Sequence, residues 1–97
     1  MPEFDVAAFN AGLSQLRRRF QAELPQRLAL IDTAWKNSPS ACASAQLLDE
    51  LHRLAGAAGS LGFAEIERLT RELEQTLKHD FVAIDDFIEQ CQAKITD

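Results

Sequence analysis

His52 is the residue of this chain whose chemistry and neighbours best suit a reaction. At a helical repeat of about 3.6 residues, the positions beside it and further along its face are small, namely Ala55, Gly56 and Gly59. A glycine inside a helix costs about 1 kcal/mol relative to alanine, so two glycines in this stretch indicate a need for space. A neutral imidazole nitrogen is a nucleophile near neutral pH. We therefore expect the backbone of another molecule to approach the His52 ring closely.

The residues around His52 also form a motif. The run His-Arg-Leu-Ala-Gly-Ala-Ala-Gly-Ser-Leu-Gly resembles the motif of histidine-containing phosphotransfer domains of bacterial and plant phosphorelays, which reads roughly His-x-Leu-Lys-Gly, four residues, and Leu-Gly. The matching positions are His52, Leu54, Gly56, Leu61 and Gly62. Leu73-Glu74 falls where the next helix of the family commonly carries such a pair. Ala55 departs from the pattern, because family members usually have lysine there.

The resemblance implies a specific role for this chain. His52 would accept a phosphoryl group from the aspartate of a receiver domain and pass it to another receiver domain. The receiver would supply Mg²⁺ and most of the catalytic groups, so we expect no cofactor and no metal site in this chain. The neighbours of the phosphoryl group and of the docked partner would be Arg53, Ala55, Gly56 and Gly59, with Arg53 the nearest substitute for the absent lysine. The expected partners are receiver domains of response regulators and of hybrid histidine kinases, and the chain itself would have no autonomous kinase activity.

Two other functions fit parts of the pattern. A helical adaptor could dock a receiver or kinase without phosphorylation of His52, and the alanine at position 55 favours that alternative. A kinase dimerisation domain also presents a helical histidine, but it typically has an acidic residue after the histidine and a proline nearby, and Arg53 and Gly56 stand here instead. His79 is interpreted as a cation near a helix end. Arg17-Arg18-Arg19 is interpreted as a solvated face, or alternatively as a docking surface for an acidic receiver.

Composition limits the class of protein further. A chain of 97 residues predicts one domain, residues 1–97, with a single core, and its formal net charge of -5 argues against nucleic-acid binding. Its apolar runs span only a few residues, far short of the roughly 20 that cross a bilayer, and no export signal begins the chain. Cys42 and Cys91 have no metal-type spacing, so we expect free thiols, with Cys91 in the core. These features predict a cytoplasmic protein, or the cytoplasmic C-terminal domain of a membrane-bound hybrid kinase.

Apolar periodicity places these residues on helices. The stripes predict an all-α fold, an antiparallel four-helix bundle of up-down-up-down topology with a short extra N-terminal helix, and a monomer. Asp5 would cap the extra helix and Gly12 would interrupt it, while the first long stripe continues through Pro25 and predicts one long kinked helix. Ser40 is predicted to cap the histidine helix and Gly62 to end it.

Overall fold

Four helices form the part of the chain that the structure, a computed structural model, describes: residues 6–39 and 42–95. They are α1 (Val6–Lys36), α2 (Ala45–Ser60), α3 (Ala64–Leu77) and α4 (Asp85–Ile95). These ranges contain no β-strand, and the predicted all-α four-helix fold is confirmed. None of the helices in the described residues is long and apolar enough to span a membrane.

Each helix packs against its neighbours in a closed ring. The contacting pairs are α1 with α2, α2 with α3, α3 with α4, and α4 with α1, and the α2–α3 pair has the most extensive interface. The direction of α1 relative to α4 follows from two side-chain hydrogen bonds: Gln21 Nε2 donates to the carbonyl of Ile95 at 3.2 Å, and Trp35 Nε1 donates to the carbonyl of Val82 at 2.8 Å. The middle of α1 therefore meets the end of α4, and the end of α1 meets the segment just before α4, as an antiparallel bundle requires.

The core is built from one apolar stripe of each helix. Its fully buried large side chains include Leu24, Leu28, Ile31, Leu47, Leu51, Leu54, Ile66, Ile84 and Cys91. Cys91 lies in the core as predicted, and burial raises the pKa of its thiol to about 12, which disfavours the reactive thiolate. The stripe on α2 holds that helix with one face towards the core and the opposite face towards solvent.

The separate N-terminal helix is a prediction that the structure corrects. The helix α1 runs without a break from Val6 to Lys36 and includes both Gly12 and Pro25. A glycine lowers helix propensity by about 1 kcal/mol but leaves the backbone hydrogen bonds possible, so Gly12 alone does not end a helix. The continuous helix through Pro25 is confirmed. Asp5, the predicted cap, lies outside the described residues.

The two ends of α2 are held by specific backbone hydrogen bonds. Ser44 is the N-cap, and its hydroxyl accepts a hydrogen bond of 3.1 Å from the backbone N–H of Leu47. The prediction of Ser40 as cap is wrong because the helix begins only at Ala45, and Ser40 itself lies outside the described residues.

The other end of α2 is confirmed as a glycine stop. Gly62 has φ of 83°, a left-handed conformation that glycine adopts without steric cost. The N–H of Phe63 donates to the carbonyl of Ala58 at 2.9 Å, and the N–H of Gly62 donates to that of Gly59 at 3.3 Å. This pair of bonds is a Schellman motif, and it turns the chain sharply into α3.

Candidate functional site

His52 lies in the middle of α2, directly after the buried Leu51. One residue along a helix is a rotation of about 100°, so the imidazole stands at the side of the buried stripe and not within it. Its side chain is 70% exposed. The rigid core under α2 thus holds the ring in a fixed place, while solvent and a docking protein can reach it.

Glu74 of α3 is the closest charged group that the structure places beside the ring. Its Oε2 lies 3.5 Å from Nδ1 of His52, and its side chain is only 11% exposed. That distance is longer than an ordinary hydrogen bond but within the range of an ion pair if the imidazole is protonated. A carboxylate at this place favours a proton on Nδ1, because the proton then lies between the nitrogen and the negative charge.

The position of Glu74 beside His52 was not predicted from the sequence. The residue was noted only as half of the Leu73-Glu74 pair. A sequence signal existed, since Thr70 and Glu74 follow the apolar Ile66 by four and eight residues, and the structure buries all three on one face of α3. The hydroxyl of Thr70 is accounted for by a bond of 2.6 Å to the carbonyl of Ile66, whereas the nearest cationic or ionisable partner of Glu74 is His52.

The two glycines after His52 have different surroundings. A Cβ built at Gly56 would meet no atom within 4 Å, and this glycine is exposed. A Cβ built at Gly59 would overlap the carboxylate of Glu67 on α3. Gly56 therefore leaves the surface open beside His52, whereas Gly59 lies against the end of the Glu67 side chain of α3.

Ala55 and Arg53 do not occupy the places that the sequence predicted for them. Ala55 is fully buried, at 0% exposure, and it lies between Gly59 and His52, which both meet side chains of α3, so it is not part of the exposed surface beside His52. Arg53 is exposed, but its guanidinium pairs with Asp49 at 3.0 Å, one turn back along α2. The structure therefore brings His52 together with Gly56 and Glu74. It does not show Arg53 as the cation beside the ring.

The Hpt domain family matches residues 15–97, which is most of the chain. The chain belongs to the Hpt domain family. Neither curated proteins nor solved structures match it. Hpt domains act in two-component phosphorelays as carriers of phosphohistidine, and they interact with receiver domains, so the general role of this chain is histidine phosphotransfer.

A second surface of this Hpt domain lies along the first part of α1. Arg17, Arg18 and Arg19 are exposed, and the guanidinium of Arg17 lies 4.8 Å from the centroid of the Phe63 ring. Phe63 in turn stacks on Phe20 with 4.9 Å between ring centroids. Arg17 therefore covers an aromatic edge of the core as well as adding charge to the surface.

His79 lies apart from the other candidate residues of this Hpt domain. It is exposed in the turn after α3, where its backbone N–H donates to the carbonyl of Thr76 at 3.0 Å. This position agrees with its interpretation as a residue near a helix end, and it provides a second exposed histidine for comparison with His52.

Proposed function

We propose that this chain is a phosphorelay intermediate that accepts a phosphoryl group on His52 from a receiver-domain aspartate and passes it to a second receiver domain. The observation that carries the proposal is the pairing of an exposed imidazole with a buried carboxylate, Glu74, on its Nδ1 side. The family membership supports the general role, and the motif around His52 supports the choice of residue.

Glu74 would determine which ring nitrogen reacts. A neutral imidazole has one protonated nitrogen and one nitrogen with a free lone pair. Because the Glu74 carboxylate lies 3.5 Å from Nδ1, it favours the tautomer with the proton on Nδ1 and the lone pair on Nε2. We therefore assign Nε2 as the nucleophile.

The transfer step balances without a proton donor or acceptor. The Nε2 lone pair forms the N–P bond, while the electron pair of the breaking P–O bond leaves with the aspartate carboxylate of the receiver. Nδ1 keeps its proton, so the phosphorylated ring carries a positive charge. Glu74 stabilises that cation, and the reverse sequence of bond changes passes the group to the next receiver.

The receiver domain would contribute the metal and most of the charge stabilisation. In the family, Mg²⁺ is bound by the receiver, and this domain provides position through the rigid α2–α3 pair. Gly56 leaves an open surface beside the ring for the receiver's loops. Arg17, Arg18 and Arg19 would add attraction for an acidic receiver. We further propose that residues 1–97 form a single, monomeric domain.

Radiolabel transfer from a phosphorylated receiver tests the assignment of His52. The expected product is acid-labile and base-stable, as a phosphoramidate is, and His52→Gln abolishes the label while His79→Gln keeps it. His79 is the matched control because it is also an exposed histidine. Retention of the label in His52→Gln would refute the assignment. No label on the wild-type protein would favour the adaptor function, and a stable dimer with His52 in its interface would favour a kinase dimerisation domain.

The role of Glu74 has its own measurement. We expect ¹⁵N NMR of the imidazole to show the proton on Nδ1 in the wild-type protein and a shift towards Nε2 protonation in Glu74→Gln. Phosphorylation should slow by roughly fivefold in that variant, since the charge beside the ring is lost. Equal tautomer populations in both proteins would rule out this positioning role, whatever the stability of the variant.

A further inference from the structure

The α2–α3 interface has a regular register on the side that carries His52. Glu67 of α3 meets Gly59 of α2, and Glu74 of α3 meets His52 of α2. Seven residues along α3 therefore correspond to seven residues back along α2, as expected for antiparallel helices. In this register, the residue four positions after Glu67 corresponds to the residue four positions before Gly59. That pair is Arg71 and Ala55.

Arg71 of α3 thus lies opposite position 55 of α2, where the motif of this family has a lysine. Glu67, Arg71 and Glu74 follow each other at intervals of four and three residues, so they share one face of α3. The Arg71 side chain is 50% exposed, whereas Ala55 is fully buried and offers no charge. The guanidinium of Arg71 pairs with Oε2 of Glu67 through its Nη2 at 2.8 Å and its Nε at 3.1 Å.

Other cations near α2 are engaged elsewhere. Arg53 pairs with Asp49 on its own helix. Arg68 pairs with Glu65 and Glu72, both at 2.9 Å, on a side of α3 that does not include Glu67 or Glu74. Lys78 follows Glu74 by one turn at the C-cap of α3, and in the same register it corresponds to Leu48, a full turn before His52 and away from position 55. Arg71 is the cation that lies within α3 on the face of Glu74 and also corresponds to position 55 of α2.

We propose that Arg71 binds the phosphoryl group on His52 and replaces the lysine that is absent at position 55. This inference rests on the proposed function of His52. In the unphosphorylated protein Glu67 holds the guanidinium, and after phosphorylation Arg71 exchanges Glu67 for the phosphoryl oxygens. The exchange is favourable because an exposed pair with one carboxylate is weak, whereas a phosphoryl group offers close to two negative charges and three acceptor oxygens to a guanidinium.

NMR of the arginine side chains tests the contact directly. Potassium phosphoramidate is the donor, because this small molecule phosphorylates imidazole without a receiver: its P–N bond breaks, ammonia leaves, and the N–P bond forms at His52. We expect the Nε–Hε signal of Arg71 to shift on phosphorylation and that of Arg68 to stay in place. An unchanged Arg71 signal in a protein that is phosphorylated on His52 would overturn this inference and leave the proposed function intact.

Transfer equilibria with a phosphorylated receiver test the energetic effect. Arg71→Gln should lower the equilibrium constant for transfer onto the domain by roughly fivefold, and Arg71→Lys should keep most of it. Arg68→Gln is the matched control, since it also removes an exposed, paired arginine from α3, and it should have no effect. If Arg71→Gln behaves like Arg68→Gln, or if Lys78→Gln alone shows the loss, Arg71 is not the phosphoryl ligand. Absence of any phosphohistidine in the wild-type protein would instead overturn both proposals.

Discussion

Gly59 and Gly56, less than one turn apart on α2, have different surroundings. Gly59 lies against the carboxylate of Glu67 on α3. Gly56 has open space around it, near the exposed His52 ring that stands beside the buried Glu74. If Gly56 leaves room for a partner and Gly59 leaves room for a side chain of the domain itself, the two glycines have different roles. Substitutions at these positions should separate folding from transfer.

The largest effect is expected at Ala55, which is buried although the next residue, Gly56, is exposed. Ala55→Lys should lower the free energy of unfolding by roughly 2 to 4 kcal/mol, because it forces a long, charged side chain into a position with no exposed area. Chemical denaturation measures this change.

Gly56→Lys is the matched control for that substitution. It adds the same charge one residue further along α2, at an exposed position with no atom near its Cβ, so its stability should stay within about 1 kcal/mol of wild type. Equal stability of the two variants would mean that α3 does not close over Ala55.

The next effect concerns transfer and not folding. Gly56→Gln should slow phosphotransfer from a receiver by about tenfold or more, because its side chain fills the space through which the receiver approaches His52. Radiolabel assays quenched at successive times measure the rate of phosphotransfer. Thermal melts should show a domain at least as stable as the wild-type protein.

Phosphoramidate provides the internal comparison for Gly56→Gln. This donor is small and needs no docked receiver, so its rate of His52 phosphorylation should be close to that of the wild-type protein. A lowered melting temperature, or equal slowing with both donors, would argue that Gly56 serves internal packing or the ring itself and not the approach of a partner.

The smallest effect is expected when each of the two glycines is replaced by alanine. Gly56→Ala should raise the free energy of unfolding by up to about 1 kcal/mol through helix propensity. Gly59→Ala should gain less, because its Cβ displaces the Glu67 carboxylate and disturbs the exposed pair with Arg71. In a Glu67→Ala background the two alanine substitutions should become equivalent, which a double-mutant cycle by denaturation can measure. Persistence of the difference in that background would mean that another neighbour restricts Gly59.

Much of the scaffold was predictable because it depends on patterns within single helices. The apolar stripe of α2 identifies Leu47, Leu51 and Leu54 as core, and a glycine at position 62 predicts the stop. The same local signals failed at Gly12, where a moderate propensity cost does not interrupt a helix that is otherwise continuous. They also failed at Ser40, because several serines near a loop can cap and only Ser44 stands directly before the helix.

The site was predictable only in part. The motif selects His52 and its small neighbours, and the ring is exposed, as a rotation of about 100° from the buried Leu51 allows. Ala55 was expected on the exposed surface beside His52, because positions on one helix do not reveal how far a neighbouring helix covers them. Glu74 and Arg71 were not assigned for the same reason: their relation to His52 depends on a second helix and its register.

The sequence by itself determined the helical periodicity, the stop at Gly62 and the choice of His52 as the candidate residue, because each depends on residues within a few turns of one another. Only the tertiary structure decided that Glu74 lies 3.5 Å from Nδ1 of His52 and that Ala55 is buried. It also decided that the α3 residue opposite Ala55 is Arg71. Those relations require the antiparallel register of α2 and α3. That register results from the packing of both helices into a common core, and no local pattern within either helix contains it.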